Sequence, residues 1–222
     1  MDQTPSHENH NFDLLRMIPA SSMRLIEVGC SSGAMAREFK KINPLCDYFG
    51  IDIDESYAIQ AQRHCDQAIA LDIEEADEQF FLDQGNRDCW IFGDTLEHLR
   101  NPWRILKKIR ERLPSNGCVV ACIPNAQHWS VVAKLSIGDF RYQDSGLLDR
   151  THLRWFTRQT IVEMFIGAGY AIQAGFPRVF PEPFRDRILP VIGEMAKACG
   201  VDPELAMSDA LPIQFVIRAV PT

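Results

Sequence analysis

The sequence lacks the cysteine pattern of a disulfide-rich or zinc-binding protein. Its seven cysteines are scattered along the chain, none of them in a CxxC pair, and their odd number does not suit a disulfide framework. Reduced thiols in this arrangement are typical of the cytoplasm. We therefore expect a cytoplasmic location and no metal cluster held by cysteines.

Long apolar runs and an excess of positive charge are also missing. No apolar stretch approaches the length of a bilayer-spanning helix, and residues 1–11 lack the basic start and apolar run of a leader sequence. The formal net charge of −7 is the wrong sign for a surface built to hold phosphate backbones. We expect no membrane span and no nucleic-acid partner.

The chain does contain alternating strand-like and helix-like patterns. With 222 residues, 46% of them hydrophobic, it can bury one substantial core, so we predict a single domain over residues 1–222. The alternation predicts an α/β fold with a doubly wound, seven-stranded, mostly parallel sheet and an antiparallel C-terminal hairpin. The strands are predicted over residues 23–28, 48–53, 67–71, 89–92, 118–123, 170–175 and 211–220.

Helices are predicted between most of these strands. Two cover residues 34–42 and 56–64, and another begins at the capping residue Thr157 and ends near Gly169. A helix opening at Pro102 is expected to lay one face on the sheet. Its apolar residues are Trp103, Leu106, Ile109 and Leu113.

A glycine-containing turn follows the first predicted strand. Gly29 and Gly33 flank it, and missing side chains there let a ligand approach the backbone closely. Asp52 ends the next strand about 20 residues later, where a carboxylate can accept hydrogen bonds from both ribose hydroxyls. Ser31 and Ala34 stand where the dinucleotide fingerprint GxGxxG requires glycine, which disfavours NAD. The pattern therefore predicts a nucleoside ligand other than NAD.

In these segments, written LIEVGCSSG and GIDID here, the chain resembles the class I S-adenosylmethionine-dependent methyltransferases over nearly its whole length. The resemblance implies an enzyme with the Rossmann-like fold and S-adenosylmethionine as cofactor. It also implies that Glu27, Gly29 and Gly33 surround the methionine part of the cofactor, that Asp52 holds the ribose and that Asp72 contacts the adenine amino group. The remaining expected cofactor contacts are Cys30, Ser31, Ile53, Ile73 and Asp94.

A second polar cluster follows the fourth predicted strand. Asp94, Glu97 and His98 lie where the carboxyl ends of strands in α/β sheets build ligand crevices, and His152 can join them from a later segment. We expect Glu97, His98 and His152 to be catalytic. Two mechanisms stay open: a histidine acts as general base, or all four residues hold Mg²⁺ or another divalent cation.

The segments LEHL, IPN and GLLDRTHLRWFT resemble two groups of methyltransferases. One is a large bacterial group associated with glycan and secondary-metabolite assembly. The other comprises metal-supported O-methyltransferases of the ubiquinone pathway and of the terminal ribose of small RNAs. In that second group the aligned acids and histidines hold the metal, and Asp94 replaces their usual glutamate.

Residues 125–156 form a long segment rich in aromatic residues that we expect to act as a lid over the acceptor. By resemblance, the preferred reaction is O-methylation of a hydroxyl on a sugar, a glycan intermediate or a related small molecule. One alternative is a phenol, quinone-precursor or natural-product O-methyltransferase. Another is a regulatory subunit that binds S-adenosylmethionine without catalysis. The oligomeric state is left open, with a homodimer as one candidate.

Overall fold

The computed structural model describes residues 9–222, so residues 1–8, most of the polar start discussed above, lie outside the described residues. Its strands are β1 Arg24–Val28, β2 Asp47–Asp52, β3 Gln67–Ala70, β4 Cys89–Gly93, β5 Cys118–Pro124, β6 Tyr170–Arg178 and β7 Gln214–Pro221. Its α-helices are α1 Phe12–Met17, α2 Ala34–Ile42, α3 Glu55–Ala61, α4 Glu78–Asp83, α5 Pro102–Arg110, α6 Trp129–Ser136, α7 Arg158–Gly167, α8 Arg185–Ala198 and α9 Pro203–Ala210. A 3-10 turn spans Leu96–His98.

The seven strands form one sheet in the order β3-β2-β1-β4-β5-β7-β6. The first five strands in this order, β3, β2, β1, β4 and β5, are parallel to one another. Strand β7 runs antiparallel to both of its neighbours, β5 and β6. The predicted fold class is therefore confirmed. The strand order reverses between β1 and β4, so the carboxyl ends of these two strands open the crevice in which such sheets bind ligands.

Alternate residues of the central strands enter two separate apolar layers. Ile26 of β1 packs in the layer that also contains the buried residues of α5 and α7, whereas its neighbour Leu25 packs with α1 and α2. Side chains of a strand point to opposite faces, so a sheet covered on both faces needs apolar residues at every position. This covering explains the continuous run CVVACI of β5, all of it buried.

The predicted orientation of Trp103 in α5 was wrong. Trp103 is 43% exposed and contacts the ring of Phe156, and the buried face of the helix carries Ile105 together with Leu106 and Ile109. Steps of three residues drift by about 60° around a helix of 3.6 residues per turn, which puts Trp103 about 120° from Ile109.

Two segments depart from the regular alternation. The predicted lid, residues 125–156, contains α6, and its ends meet at a β-bridge between Asn125 and Phe156. The predicted C-terminal hairpin is an antiparallel pair, but α8 and α9 stand between its strands. Their apolar residues pack against Trp129 of α6 in a third cluster. Within residues 9–222, no helix combines the length and apolarity needed to cross a bilayer.

Candidate active site

The turn between β1 and α2 requires left-handed backbone at three positions. Gly29, Ser31 and Gly33 have φ of +78°, +47° and +79°. Glycine adopts this region freely, and a serine there costs about 1 kcal/mol. The position where serine replaces the usual glycine therefore keeps the glycine-like turn. The amides of Gly29 and Cys30 both donate to the carbonyl of Ile51, at 2.8 and 2.9 Å, which holds the turn against the end of β2.

Thr95, which the sequence did not single out, packs directly on this turn. Its hydroxyl donates to the carbonyl of Val28 at 2.9 Å and also lies 3.1 Å from the carbonyl of Gly93. A β-carbon at Gly29 would lie 2.6 Å from this hydroxyl oxygen. Gly29 is therefore required both by its backbone conformation and by the close approach of the loop after β4.

Asp52 at the end of β2 anchors the same turn. Its carboxylate accepts hydrogen bonds from the amide of Ser31 at 2.8 Å and from the amide of Asp54 at 3.0 Å. The side chain is buried, and burial raises the pKa of its carboxyl although these amides oppose the shift. Asp52 thus stabilises the glycine turn, besides any contact with a ribose.

Three further expected cofactor contacts follow neighbouring strands: Ile53 follows β2, and Asp72, expected at the adenine, and Ile73 follow β3. Asp52 is in register with Ala70 of β3, so Asp72 follows at the same edge of the sheet. The carboxylate of Asp72 accepts from the amide of Glu74 at 2.9 Å and pairs with Arg100 at 3.0 Å. The side chain of Ile53 is 52% exposed, whereas the side chain of Ile73 is buried in the core.

Glu27 is buried within β1 and bonds to the neighbouring strand. Its carboxyl accepts a hydrogen bond from the hydroxyl of Tyr48 at 2.9 Å. Burial raises the pKa of Glu27 to about 8, the hydrogen bond from Tyr48 lowers it, and the charge of Asp52 adds to the rise. The structure therefore links this carboxyl to β2, a partner that the sequence did not indicate.

The three predicted catalytic residues meet at the other side of the crevice. Glu97 and His98 belong to the 3-10 turn after β4, and the amides of Leu153 and Arg154 both donate to the carbonyl of Glu97 at 2.9 Å. These two hydrogen bonds bring His152 to the turn. One ligand atom from each of Glu97, His98 and His152 lies within 4.8 Å of the others.

The Glu97–His98–His152 group is largely shielded from water, and this burial shifts the pKa values of its members. Glu97 is 1% exposed, and neither of its carboxyl oxygens has a hydrogen-bond partner among the described residues. Burial raises the pKa of Glu97 well above its usual value. Burial lowers the pKa of His98. Burial also lowers the pKa of His152, to about 4, and repulsion from the protonated form of His98 adds to this shift. Both imidazoles are therefore neutral at pH 7 and can accept a proton or bind a cation.

Asp94 follows β4 but points elsewhere. Among residues 9–222, the group of possible metal ligands contains Glu97, His98 and His152 without it. Asp94 has a φ of +53°, and its carboxylate accepts from the side-chain amide of Gln214 on β7. The side chain of Gln214 in turn accepts from Arg178, which pairs with Asp13 of α1 at 2.8 Å. This chain of contacts joins α1 and β7 to the site, and no local sequence signal could have indicated Gln214.

Comparisons with known proteins identify the family and the fold. Residues 9–174, most of the chain, match the model of a family described as a methyltransferase domain. A search of curated proteins found no match. Among solved structures, the chain is similar to magnesium protoporphyrin IX methyltransferase from Synechocystis PCC 6803 with bound S-adenosylhomocysteine, at 12% identity and a TM-score of 0.60. This match covers 94% of this chain and 78% of that one.

Two further structures show the same fold. An S-adenosylmethionine-dependent methyltransferase from Mesorhizobium loti has 16% identity and a TM-score of 0.58, with 94% of this chain and 95% of that chain covered. The mitomycin 7-O-methyltransferase MmcR has 10% identity and a TM-score of 0.56, with 91% of this chain covered. The chain spans 50% of the length of MmcR. The chain belongs to the methyltransferase domain family, and its fold is that of the S-adenosylmethionine-dependent methyltransferases.

Proposed function

We propose that this methyltransferase moves the methyl group of S-adenosylmethionine to a hydroxyl oxygen of a sugar, a glycan intermediate or a related small molecule. The observation that carries the proposal is the Glu97–His98–His152 group beside the turn after β1. An aliphatic hydroxyl is a weak nucleophile at neutral pH, so its methylation benefits from a group that removes the proton. Two neutral imidazoles next to the crevice supply such groups.

In the proposed mechanism, the pocket around Gly29 and Asp52 holds the cofactor and the acceptor oxygen attacks the methyl carbon in line with the departing sulfur. The fold contributes mainly by holding both reactants in this geometry. His98 takes the hydroxyl proton, because it is the more accessible of the two imidazoles. His152 and Glu97, both buried, support its position.

The same group also fits a divalent cation, which is the second mechanism that we consider. Around a tetrahedral ion with ligand distances of about 2.1 Å, ligand atoms lie about 3.4 Å apart, so these three atoms, which lie within 4.8 Å of one another, would have to move closer by about 1 Å to share an ion. The buried carboxyl oxygens of Glu97, which have no hydrogen-bond partner among the described residues, suit this role. When bound, the ion would lower the pKa of the acceptor hydroxyl.

Calorimetric titration with Mg²⁺, Mn²⁺ and Zn²⁺ separates these two mechanisms. Binding by the unaltered protein that is lost in Glu97→Gln supports the metal mechanism. Absence of binding for all three ions leaves His98 as the base.

The choice of acceptor class rests on the resemblance and on an exposed aromatic group. The ring of Phe140 lies 6.0 Å from that of Tyr142 and 6.4 Å from that of Trp155, which follows His152 by three residues. Aromatic faces at the edge of a crevice can pack on a sugar or on a ring-shaped acceptor. The competing proposal is therefore a phenol, quinone-precursor or natural-product acceptor. The similar fold of a mitomycin 7-O-methyltransferase supports this alternative.

The test is release of S-adenosylhomocysteine with a panel of sugars, sugar nucleotides, phenols and amines. We expect turnover with a hydroxyl acceptor, and we expect His98→Gln to lower it by about 100-fold or more. His64→Gln, which alters a histidine just after α3, is the matched control and should keep full activity. Normal rates for His98→Gln, or turnover with amines alone, would contradict the proposal. Absence of turnover with every acceptor would favour the regulatory alternative.

A further inference from the structure

We propose that Asp149 and Thr151 act as positioning residues that fix His98 as the tautomer protonated on Nδ1. They lie in the segment leading to His152, outside the cofactor pocket. Fixing the tautomer would leave Nε2 of His98 as the ring nitrogen with the free lone pair.

Asp149 determines where the hydroxyl proton of Thr151 goes. The side chain of Asp149 is 2% exposed, and its Oδ1 accepts from the amide of Thr151 at 2.8 Å and from the hydroxyl of Thr151 at 2.6 Å. A hydroxyl has a single proton to donate. Because this proton is directed at Asp149, the hydroxyl oxygen of Thr151 can only accept from any other neighbour.

His98 meets two oxygens of Thr151. Its Nδ1 lies 3.1 Å from the backbone carbonyl oxygen and 3.1 Å from the hydroxyl oxygen. The carbonyl can only accept, and the hydroxyl is already committed as a donor to Asp149. A hydrogen bond at this nitrogen therefore requires the proton to be on Nδ1, since an unprotonated Nδ1 would face two oxygen lone pairs.

The consequence concerns the second ring nitrogen. A neutral imidazole has one N–H and one lone pair, so a proton on Nδ1 leaves the lone pair on Nε2. That lone pair is what a general base or a metal ligand uses. Its use to take the acceptor proton rests on the proposed function, whereas the tautomer itself follows from the contacts of Thr151.

The test is nitrogen NMR of the histidine side chains in the full-length protein, with uniform ¹⁵N labelling at pH 8. The His98 signals are assigned by their loss in His98→Gln. We expect a protonated, pyrrole-like Nδ1 and an unprotonated, pyridine-like Nε2. Asp149→Asn, whose side-chain oxygen can accept the same two hydrogen bonds, and Thr151→Ser should keep this spectrum.

Asp149→Ala is the disruptive variant. It frees the hydroxyl of Thr151 to donate to Nδ1, so the Nδ1 signal should shift toward the pyridine-like position and the Nε2 signal should shift the opposite way. Circular dichroism checks that this variant folds. A proton on Nε2 of His98 in the unaltered protein overturns the proposal even if the variant does not fold. An unshifted spectrum in a folded Asp149→Ala variant would show that Asp149 does not determine the tautomer.

Titration with S-adenosylhomocysteine on the same samples separates the two proposals. Lack of binding by the unaltered protein would overturn the proposed function and leave the tautomer to be decided by NMR. Binding together with a proton on Nε2 would overturn only the inference about Asp149 and Thr151.

Discussion

Gly29 and Gly138 have nearly the same φ angle in different surroundings. Their φ angles are +78° and +76°, but a β-carbon at Gly29 would lie 2.6 Å from the hydroxyl oxygen of Thr95, whereas one at Gly138 would have nothing within 4 Å. Alanine at either position would be strained by the left-handed backbone. Only at position 29 must a second, hydrogen-bonded side chain also move.

We therefore predict that Gly138→Ala lowers the free energy of unfolding by about 1 kcal/mol, and that Gly29→Ala lowers it by about 3 kcal/mol. Urea denaturation of the two variants measures this difference. Equal losses would show that Thr95 does not constrain the turn.

Sequence spacing predicted the positions of residues at the end of a predicted strand or directly after it. Gly29 and Asp52 lie where the strand-turn-helix pattern put them, and Asp52 meets the turn at Ser31 because β1 and β2 are adjacent. Thr95 and Gln214 could not be predicted in this way. Thr95 bonds to the end of β1, far from it in sequence. Gln214 bonds to Asp94 after β4, which lies 120 residues away.

At the scale of elements, Glu27 and Tyr48 form a buried polar link between β1 and β2. The pKa of Glu27 is about 8 in the folded protein and near 4.5 when exposed to water. Between these values the folded state keeps a proton that the unfolded state releases. Stability is therefore lost as pH rises from about 4.5 to about 8.

Glu27→Gln keeps an oxygen that can accept from Tyr48 and removes this titration. We predict that, relative to the unaltered protein, its free energy of unfolding rises by about 3–5 kcal/mol between pH 5 and pH 8.5. Denaturation at the two pH values measures the change. Glu163→Gln, which alters an exposed residue of α7, is the control and should show no such rise. A pH-independent difference for Glu27→Gln would contradict the burial argument.

The periodic elements were predictable and the inserted ones were not. The strand patterns predicted all seven strands to within a few residues. The signal was clearest for β4 and β5, whose unbroken apolar runs are required where a sheet is covered on both faces. Helices α8 and α9 were missed. Many of their apolar residues are exposed, as Val191 and Met195 of α8 show, so their sequences lack a clear apolar face.

At the scale of the whole molecule, the strand order accounts for the position of the site. The turns after β1 and β4 meet where the order reverses, which places the glycine turn beside the 3-10 turn that carries Glu97 and His98. The segment of residues 149–154 then closes over this turn through the carbonyl of Glu97. The proposed cofactor pocket and the proposed proton-accepting group thus share one edge of the sheet.

The most direct test of this account is calorimetric titration with S-adenosylhomocysteine. We predict that the unaltered protein binds it and that Asp52→Ala binds at least about tenfold more weakly, because hydrogen bonds to a charged group are lost. Asp54→Ala, which removes only the cap of α3, and His98→Ala should both bind like the unaltered protein. No binding by the unaltered protein, or full affinity in Asp52→Ala, would contradict the account.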